Sequence, residues 1–214
     1  MQLYGYWRSS ATYRVRIALS LKNISYQSIE INLIEKGGEQ HSDYFHALNP
    51  TELVPVLVDG GLRINQSMVI LDYLDEHYPQ PLLVPITGEQ RYLIRSLAQD
   101  IAVDIHPLNN LRVQQFLTHQ MKVKECDKQR WLKYWIMEGF ESLDEKLKPL
   151  AGKFCVGADV TLVDVCLAPQ VYNALRVGVD MTKYPTLNRV YQTLMQHPAF
   201  IAAQPENQTG APTN

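Results

Sequence analysis

The sequence predicts a small α/β domain followed by an all-α domain. Strand-like and helix-like patterns alternate over residues 1–80. Residues 81–88 continue a proline- and glycine-rich stretch that is typical of a linker, and residues 89–214 carry almost entirely helical patterns. The chain has 214 residues, of which 46% are hydrophobic and 20% are charged, so it can bury two cores without a metal or a disulfide.

The order of strands and helices in the first domain predicts a sheet with both parallel and antiparallel strands. Asp59, Gly60 and Gly61 form a tight turn between two apolar runs, which predicts a hairpin. Pro55 at the start of a strand requires an edge position or special geometry, such as a cis Val54–Pro55 bond. The predicted strands are 2–6, 26–33, 54–58 and 62–64, and the predicted helices are 10–22 and 67–78, with a short helix at 43–48.

The second domain is predicted to contain four long helical segments. The segment 89–120 is bent or interrupted at Pro107, because proline lacks the N–H group that a helix interior needs. Thr161 caps the start of another helix, and Asp164 reaches back in the manner of a capping box. The remaining helices are predicted over 127–149 and 185–196, and the polar residues from Gln204 form a loose tail.

Charge, cysteine usage and hydropathy narrow the class of protein. The net charge of −2 argues against a broad surface for nucleic acid. The cysteines Cys126, Cys155 and Cys166 are widely spaced and form no C-x-x-C motif, which predicts free thiols in a reducing compartment. No signal-peptide pattern and no apolar run of roughly 18 residues are present, so we expect a cytoplasmic protein without a membrane partner. The histidines lack ligand spacing, and no metal is expected.

The junction between the first strand and the first helix carries the most information. Ser9 and Ser10 stand there, flanked by Arg8, Arg14 and Arg16. A helix N-terminus presents unpaired N–H groups and a partial positive charge, and hydroxyl donors there can hold an anion such as a thiolate. Lowering a thiol pKa of about 8.5 by about two units requires about 2.7 kcal/mol of preferential thiolate stabilisation. The alternative is that either serine simply caps the helix.

Five motifs follow one another in an order and spacing that are specific when taken together. They are W-R-S-S-x-x-x-R-V-R-I-A-L at 7–19, N-P-T-E-L-V-P-V-L at 49–57, I-N-Q-S-M-V-I-L-D-Y-L at 64–74, D-I-H-P-L-N-N at 104–110 and G-x-x-x-T-x-x-D at 157–164. With them the chain resembles the cytosolic glutathione transferase superfamily from Leu3 to about Pro205. More narrowly, it resembles the zeta class, which includes maleylacetoacetate and maleylpyruvate isomerases.

This resemblance implies a fold, a cofactor and a reaction. The fold is a thioredoxin-like N-terminal domain followed by a helical glutathione transferase C-terminal domain, usually in a homodimer. The cofactor is glutathione, and the partner molecule is a small dianionic substrate. The implied reaction is cis–trans isomerisation of maleylacetoacetate to fumarylacetoacetate by reversible thiolate addition to the double bond, as part of tyrosine and phenylalanine catabolism. Isomerisation of maleylpyruvate, in gentisate-type breakdown, stays open as an alternative.

Four residues of the first domain match positions at which the family binds glutathione. Gln66 and Ser67, at a predicted helix start, match the site of the γ-glutamyl carboxylate. Val54 would pair its backbone with the cysteinyl part of the tripeptide, and Gln40 matches a position that contacts the glycyl end. Plain helix capping, an ordinary strand residue and a surface-loop residue are the respective alternatives.

The resemblance also implies which residues act on the sulfur and on the substrate. Ser9, together with Ser10, would stabilise the thiolate of glutathione. Arg8 and Arg176 would clamp the substrate carboxylates, because a guanidinium group is a planar and permanent cation that matches a carboxylate. Arg112 is a third candidate for this role. For any single arginine, a solvated surface charge is the alternative.

Polar residues on both sides of the predicted bend at Pro107 complete the implied site. The family places residues such as His106, Asn110 and Arg112 at the mouth of the active site and near glutathione. His106 can orient the substrate or move a proton. A purely structural histidine at a helix bend is the alternative.

One position departs from the family pattern, because the usual Ser-Ser-Cys is here Ser9, Ser10 and Ala11. Since the attacking sulfur belongs to glutathione, we expect the change to alter substrate handling and not to abolish the chemistry. The missing cysteine argues against a thiol–disulfide or dehydroascorbate enzyme, which needs a protein thiol at this position. General conjugation of small electrophiles and a non-catalytic binding module are competing interpretations of the same site.

Overall fold

A computed structural model of the chain describes residues 1–212, which form two compact units. The first unit holds residues 1–82 together with the C-terminal segment from His197, and the second holds Leu83–Gln196. The sequence placed the C-terminal segment in the helical domain, so the structure differs from the prediction there. The last residues of the predicted tail, 213 and 214, lie outside the described residues.

The C-terminal segment joins the first unit because helix α9 (Pro198–Ala203) packs against helix α1 (Ser10–Leu21). The Tyr13 hydroxyl donates to the Phe200 carbonyl at 3.3 Å, and Arg16 Nε donates to the Ala203 carbonyl at 3.1 Å. The predicted loose tail is also ordered, since the Gln208 amide donates to the Ala202 carbonyl at 2.8 Å beside a 3₁₀ turn at Pro205–Asn207. The pattern of a six-residue apolar helix does not say which surface covers it.

A four-stranded mixed sheet lies at the centre of the first unit, in the order β2-β1-β3-β4. Strand β1 pairs in parallel with β2 and antiparallel with β3, and β3 pairs antiparallel with β4 across the turn at Gly60. Leu3 and Leu57, both buried, lie opposite each other in the β1–β3 register. The predicted mixed sheet and hairpin are therefore confirmed. The strands are β1 (Gln2–Gly5), β2 (Gln27–Glu30), β3 (Val56–Asp59) and β4 (Leu62–Asn65).

Four α-helices complete the described core of this unit: α1, α2 (Asp43–Leu48), α3 (Ser67–His77) and α9. Helix α1 contacts both α3 and α9, so it has little surface left for solvent. Val15, Ile17 and Leu19 are fully buried on it. The two arginines that alternate with these apolar residues are consequently buried as well.

The second unit is helical. Its α-helices are α4 (Gln90–Gln99), α5 (Leu111–Gln115), α6 (Glu125–Leu147), α7 (Leu162–Arg176) and α8 (Pro185–Leu194). Helix α7 is buried along most of its length and begins at Thr161, where the predicted capping box with Asp164 is confirmed. Among residues 1–212, no helix combines the length and the apolar character that a membrane span requires.

The predicted helical segment 89–120 is interrupted over a longer stretch than the sequence indicated. A π-helical turn at Asp100–Ile105 and a 3₁₀ turn at His106–Asn109 follow α4, and a second π-helical turn at Phe116–Gln120 follows α5. Pro107 explains the break in part, because its ring excludes a regular helical bond at that point. Close packing also contributes: a Cβ atom at Gly139 of α6 would overlap the Ile105 side chain.

Candidate active site

The N-terminus of α1 is capped by Ser9. Its Oγ atom accepts the Thr12 N–H at 3.2 Å, and its own N–H donates to the Tyr6 carbonyl at 3.0 Å. A hydroxyl that accepts one hydrogen bond still has its own O–H to donate. Both Ser9 and Ser10 are half-buried, and the first turn of α1 contains no acidic residue. Ser9 is therefore an N-cap, as the capping interpretation holds, but the capping hydrogen bond does not use the proton of its hydroxyl group.

Arg14 and Arg16 are structural parts of this junction that the sequence analysis treated only as flanking charges. Only 2% of Arg14 and 3% of Arg16 is exposed. Arg16 donates to the carbonyls of Tyr6 and Trp7 at 3.5 and 2.9 Å, which fixes the loop that leads to Ser9. The sequence contained a signal for the burial of these two side chains, since each arginine is surrounded along the helix by apolar residues. It contained no signal for their hydrogen-bond partners.

Arg8 differs from these two residues because it is half-buried and lies above an aromatic ring. Its guanidinium carbon is 5.4 Å from the centroid of the Trp7 ring, a cation–π geometry. Such stacking limits the directions in which the guanidinium can point while leaving its N–H donors for a carboxylate. The predicted role of Arg8 as a substrate clamp stays a prediction.

The N-terminus of α3 forms a second potential anion site. Gln66 has a left-handed backbone, with φ of 68°, and makes no side-chain capping bond to the helix. Ser67 is buried, and its Oγ atom accepts from Arg14 Nη1 at 3.3 Å. The Ser67 side chain is thus turned toward a buried cation, and Gln66 does not act as an ordinary cap. An anion at this helix end would meet backbone N–H groups and the nearby charge of Arg14.

Val54 lies immediately before β3, and the bond between Val54 and Pro55 is cis, as the sequence suggested. The Val54 side chain is half-buried and packs against a cluster that includes Tyr4 and Phe45. Pro55 precedes the strand and does not lie within it, so no ladder bond is lost in the middle of the sheet.

Gln40 is more enclosed than a surface-loop residue, since only 5% of it is exposed. Its Nε2 atom donates to the Leu33 carbonyl at 3.5 Å and lies 3.0 Å from His41 Nε2. Its Oε1 atom is buried and has no hydrogen-bond partner among the described residues. No pattern in the sequence indicates that this amide contacts both the Leu33 carbonyl and the His41 ring.

The sheet register brings these segments of the first unit to one end of the sheet. Strand β1 runs toward Ser9, β3 starts just after Val54, and β4 ends just before Gln66. One row of paired residues crosses the three strands at this end: Tyr4, Val56 and Asn65. The parallel pairing of β1 with β2 brings the end of β2, and the loop that leads to Gln40, to the same end.

The other predicted site residues belong to the second unit and lie in two segments. His106 opens the 3₁₀ turn, and Asn110 caps α5 by accepting the Arg112 N–H on Oδ1 at 3.1 Å. Arg112 is exposed on α5. Arg176 is exposed in the last turn of α7, where its Nη1 atom donates to Asn173 Oδ1 at 3.0 Å. Asn110 is thus the N-cap of α5, and the roles of all four residues toward ligands stay predictions.

Comparison with known proteins identifies the family. Family models described as "Glutathione S-transferase, N-terminal domain" and "Glutathione S-transferase, C-terminal domain" match residues 3–82 and 110–198. A protein of Vibrio cholerae named "Probable maleylacetoacetate isomerase" is 56% identical over 98% of this chain and 97% of its own length. The chain belongs to the glutathione S-transferase family.

Solved structures agree with this assignment and narrow it. A bacterial maleylpyruvate isomerase, described as a zeta-class glutathione S-transferase in holo form, matches with a TM-score of 0.95 at 37% identity, covering 99% of this chain and 100% of that chain. A maleylacetoacetate isomerase of Methylobacterium extorquens AM1 with bound malonate and glutathione also gives 0.95 at 37% identity, covering 100% of both chains. The predicted family and the predicted thioredoxin-like plus helical fold are confirmed.

Proposed function

We propose that this chain catalyses the cis–trans isomerisation of maleylacetoacetate to fumarylacetoacetate, with glutathione as a cofactor that is regenerated in each cycle. The coarser class, a glutathione-dependent isomerase, follows from the names of relatives that match over nearly their full length. The observation that carries the proposal is the meeting of Ser9, Val54 and Gln66 at one end of the sheet. These are the three positions at which a tripeptide with a thiolate and a terminal carboxylate would need partners.

The described residues of the first unit fit glutathione on structural grounds. The start of α1 offers a hydroxyl donor without a competing carboxylate, and α3 begins without a side-chain cap. Arg14 places a buried cation against Ser67, which favours an anion at that helix end. Bound glutathione supplies a thiolate that adds to the substrate double bond and leaves again after rotation about the resulting single bond.

The residues of the chain then have three tasks. The Ser9 hydroxyl, which already accepts the Thr12 N–H, donates a hydrogen bond to the sulfur and so favours its ionised form. Arg16 holds the loop before Ser9, so that the hydroxyl keeps its place. Arg8, Arg112 and Arg176 offer guanidinium groups for the two substrate carboxylates, and such groups also stabilise the negative charge that develops on the substrate oxygen.

A second candidate is the isomerisation of maleylpyruvate, because one of the structures with a TM-score of 0.95 carries that name. Both candidates are cis-enedioates, so the same thiolate and the same arginines would serve either one. They differ in the length of the substrate beyond the keto group. Turnover rates decide between them.

The proposal extends to the cellular context. The homodimer is proposed on the resemblance to the family. Cys126, Cys155 and Cys166 are present as thiols, which supports a cytoplasmic location. In that setting the isomerase would act in the breakdown of aromatic amino acids.

Spectrophotometric turnover of maleylacetone and maleylpyruvate, with and without glutathione, tests the function. We expect isomerisation only with glutathione and a higher kcat/KM for maleylacetone. A preference for maleylpyruvate would support the second candidate. Conjugation of a chloro-aromatic electrophile without isomerisation would contradict both and favour a general transferase.

A further inference from the structure

A carboxylate clasp joins two segments of the first unit. It consists of Glu52 and two histidines: His41 Nδ1 lies 2.6 Å from Glu52 Oε2, and His46 Nδ1 lies 2.8 Å from Glu52 Oε1. Glu52 has a left-handed backbone with φ of 56°, and its N–H donates to the Asn49 carbonyl at 2.9 Å. The clasp therefore fastens the 39–46 segment to the turn at 49–52.

The bond to Glu52 decides which nitrogen of His41 carries the proton in the neutral ring. A carboxylate only accepts, so Nδ1 donates to it and Nε2 keeps a lone pair. Gln40 Nε2, at 3.0 Å, then donates to that lone pair as well as to the Leu33 carbonyl. The reverse amide orientation would set the Gln40 oxygen against the Leu33 oxygen. Neutral His41 thus fixes which end of the Gln40 amide faces inward.

Two further observations show that the Gln40 amide is held closely. A Cβ atom at Gly38 would overlap it, so the amide lies against the glycine backbone. The Oε1 atom is buried without a partner among the described residues, and leaving a buried acceptor unpaired is unfavourable. An N–H donor from a ligand would remove that cost.

The clasp also reaches the segment that carries Val54. Asn49 is buried in the same turn as Glu52, and its Nδ2 atom donates to the Leu53 carbonyl at 2.8 Å, one residue before Val54. Two segments that we assign to glutathione are therefore linked through one carboxylate. Disturbing the clasp would affect both.

We propose that His41 is a positioning residue for glutathione: its neutral ring, held by Glu52, sets the Gln40 amide so that Oε1 can accept an N–H of the tripeptide, and protonation of His41 reverses this amide and weakens binding. The proposal rests on the function proposed above. In the protonated ring Nε2 becomes a donor, so Gln40 must turn its oxygen toward His41 and give up the bond to Leu33.

The charged groups around His41 are consistent with this switch. Glu52 faces it from the turn, and His46 from α2 shares the same carboxylate. Hydrogen bonds from His46 and His41 lower the pKa of Glu52, which favours the ionised form of this carboxyl. Glu39, on the same 3₁₀ turn as His41, is engaged by the Asn32 N–H at 2.7 Å. Asp43 begins α2, and Arg63 of β4 donates to the Ala47 carbonyl at 3.5 Å.

Calorimetric binding of S-methylglutathione tests the proposal, because this probe has no thiol to titrate. Between about pH 8 and about pH 5.5 we expect the Kd of the unaltered protein to rise about fivefold, the value of one lost hydrogen bond. His41→Gln keeps an acceptor near the Nε2 position but does not titrate, so its Kd should stay near the high-pH value throughout. His41→Phe should bind about fivefold more weakly at every pH.

His77→Gln is the matched control, since His77 is an exposed histidine of the same unit outside the clasp. It should keep the pH dependence of the unaltered protein. A Kd that does not change with pH, or a pH dependence that survives in folded His41→Gln, would overturn the proposal about His41 and leave the proposed function intact. Absence of binding at every pH would overturn both.

Discussion

Helices α1 and α7 both begin with a hydroxyl residue as N-cap, but only one of them closes its own N-terminus. At α7, Thr161 is paired with Asp164, which is fully buried and accepts the N–H groups of Cys155 and Thr161 at 2.8 Å each. At α1, Ser9 caps Thr12, and no acidic residue stands in the first turn. The positive end of α7 faces a carboxylate of the chain itself, whereas the first turn of α1 contains no carboxylate.

The surroundings of Asp164 are those of a structural carboxylate, because it is fully buried and accepts two backbone N–H groups. Burial raises the pKa of the carboxyl, and the hydrogen bonds from Cys155 and Thr161 oppose the shift. Burial likewise raises the pKa of the Cys155 thiol beside it, which makes that thiol unreactive. A similar capping signal in the sequence therefore marks a stability element in one helix and a candidate reaction site in the other. The two helix starts differ in that α7 has the carboxylate of Asp164 in its first turn and α1 has none.

The largest expected effect is on stability, from Asp164→Ala. The substitution leaves the buried N–H groups of Cys155 and Thr161 without an acceptor, so the free energy of unfolding should fall by about 3 kcal/mol. Urea denaturation measures it. Asp159→Ala, at an exposed position near the same helix start, is the control and should change little. A loss below about 1 kcal/mol would show that the capping box contributes no more than an ordinary cap.

The second effect is on catalysis, from Ser9→Ala. Removing the hydroxyl donor should lower kcat/KM for isomerisation about 100-fold, the usual loss for one donor to a developing or fixed anion. The free energy of unfolding should fall by only about 1 kcal/mol, because a single N-cap bond is lost. Ser9→Thr keeps both the cap and the hydroxyl and should retain most of the activity. Full turnover by folded Ser9→Ala would remove Ser9 from the reaction.

The third effect comes from adding a carboxylate to the first turn of α1, one position nearer to the N-cap than Asp164 is in α7. Ala11→Asp places a negative charge in the first turn of α1, where it competes with the thiolate for the helix N-terminus. Relative to the neutral and isosteric Ala11→Asn, we expect the Kd of glutathione to rise about fivefold. Calorimetry measures this ratio, and the ultraviolet absorbance of the bound thiolate should fall in parallel. Equal binding by the two variants would mean that the helix end does not hold the sulfur.

Part of the fold was predictable because it depends on local chemistry. The hairpin at Gly60 and the start of α7 at Thr161 are each specified by a few neighbouring residues, and both are confirmed. For Pro55 the sequence left an edge position or special geometry open, and the structure has the cis bond. The helical segment 89–120 was predicted less well. Its interruption begins at Asp100, and the last residue of that turn, Ile105, packs closely against Gly139, which lies far along the chain.

The amino-acid sequence by itself determined the fold class, the family and the hydroxyl pair that opens α1, because periodicity, turn residues and motif spacing are written in consecutive residues. The tertiary structure alone decided that Arg14 holds Ser67, that the segment from His197 packs on the first unit, and that Glu52 fastens His41. Such bonds join residues distant in the chain, and their partners follow from how the backbone is folded, which no local pattern encodes.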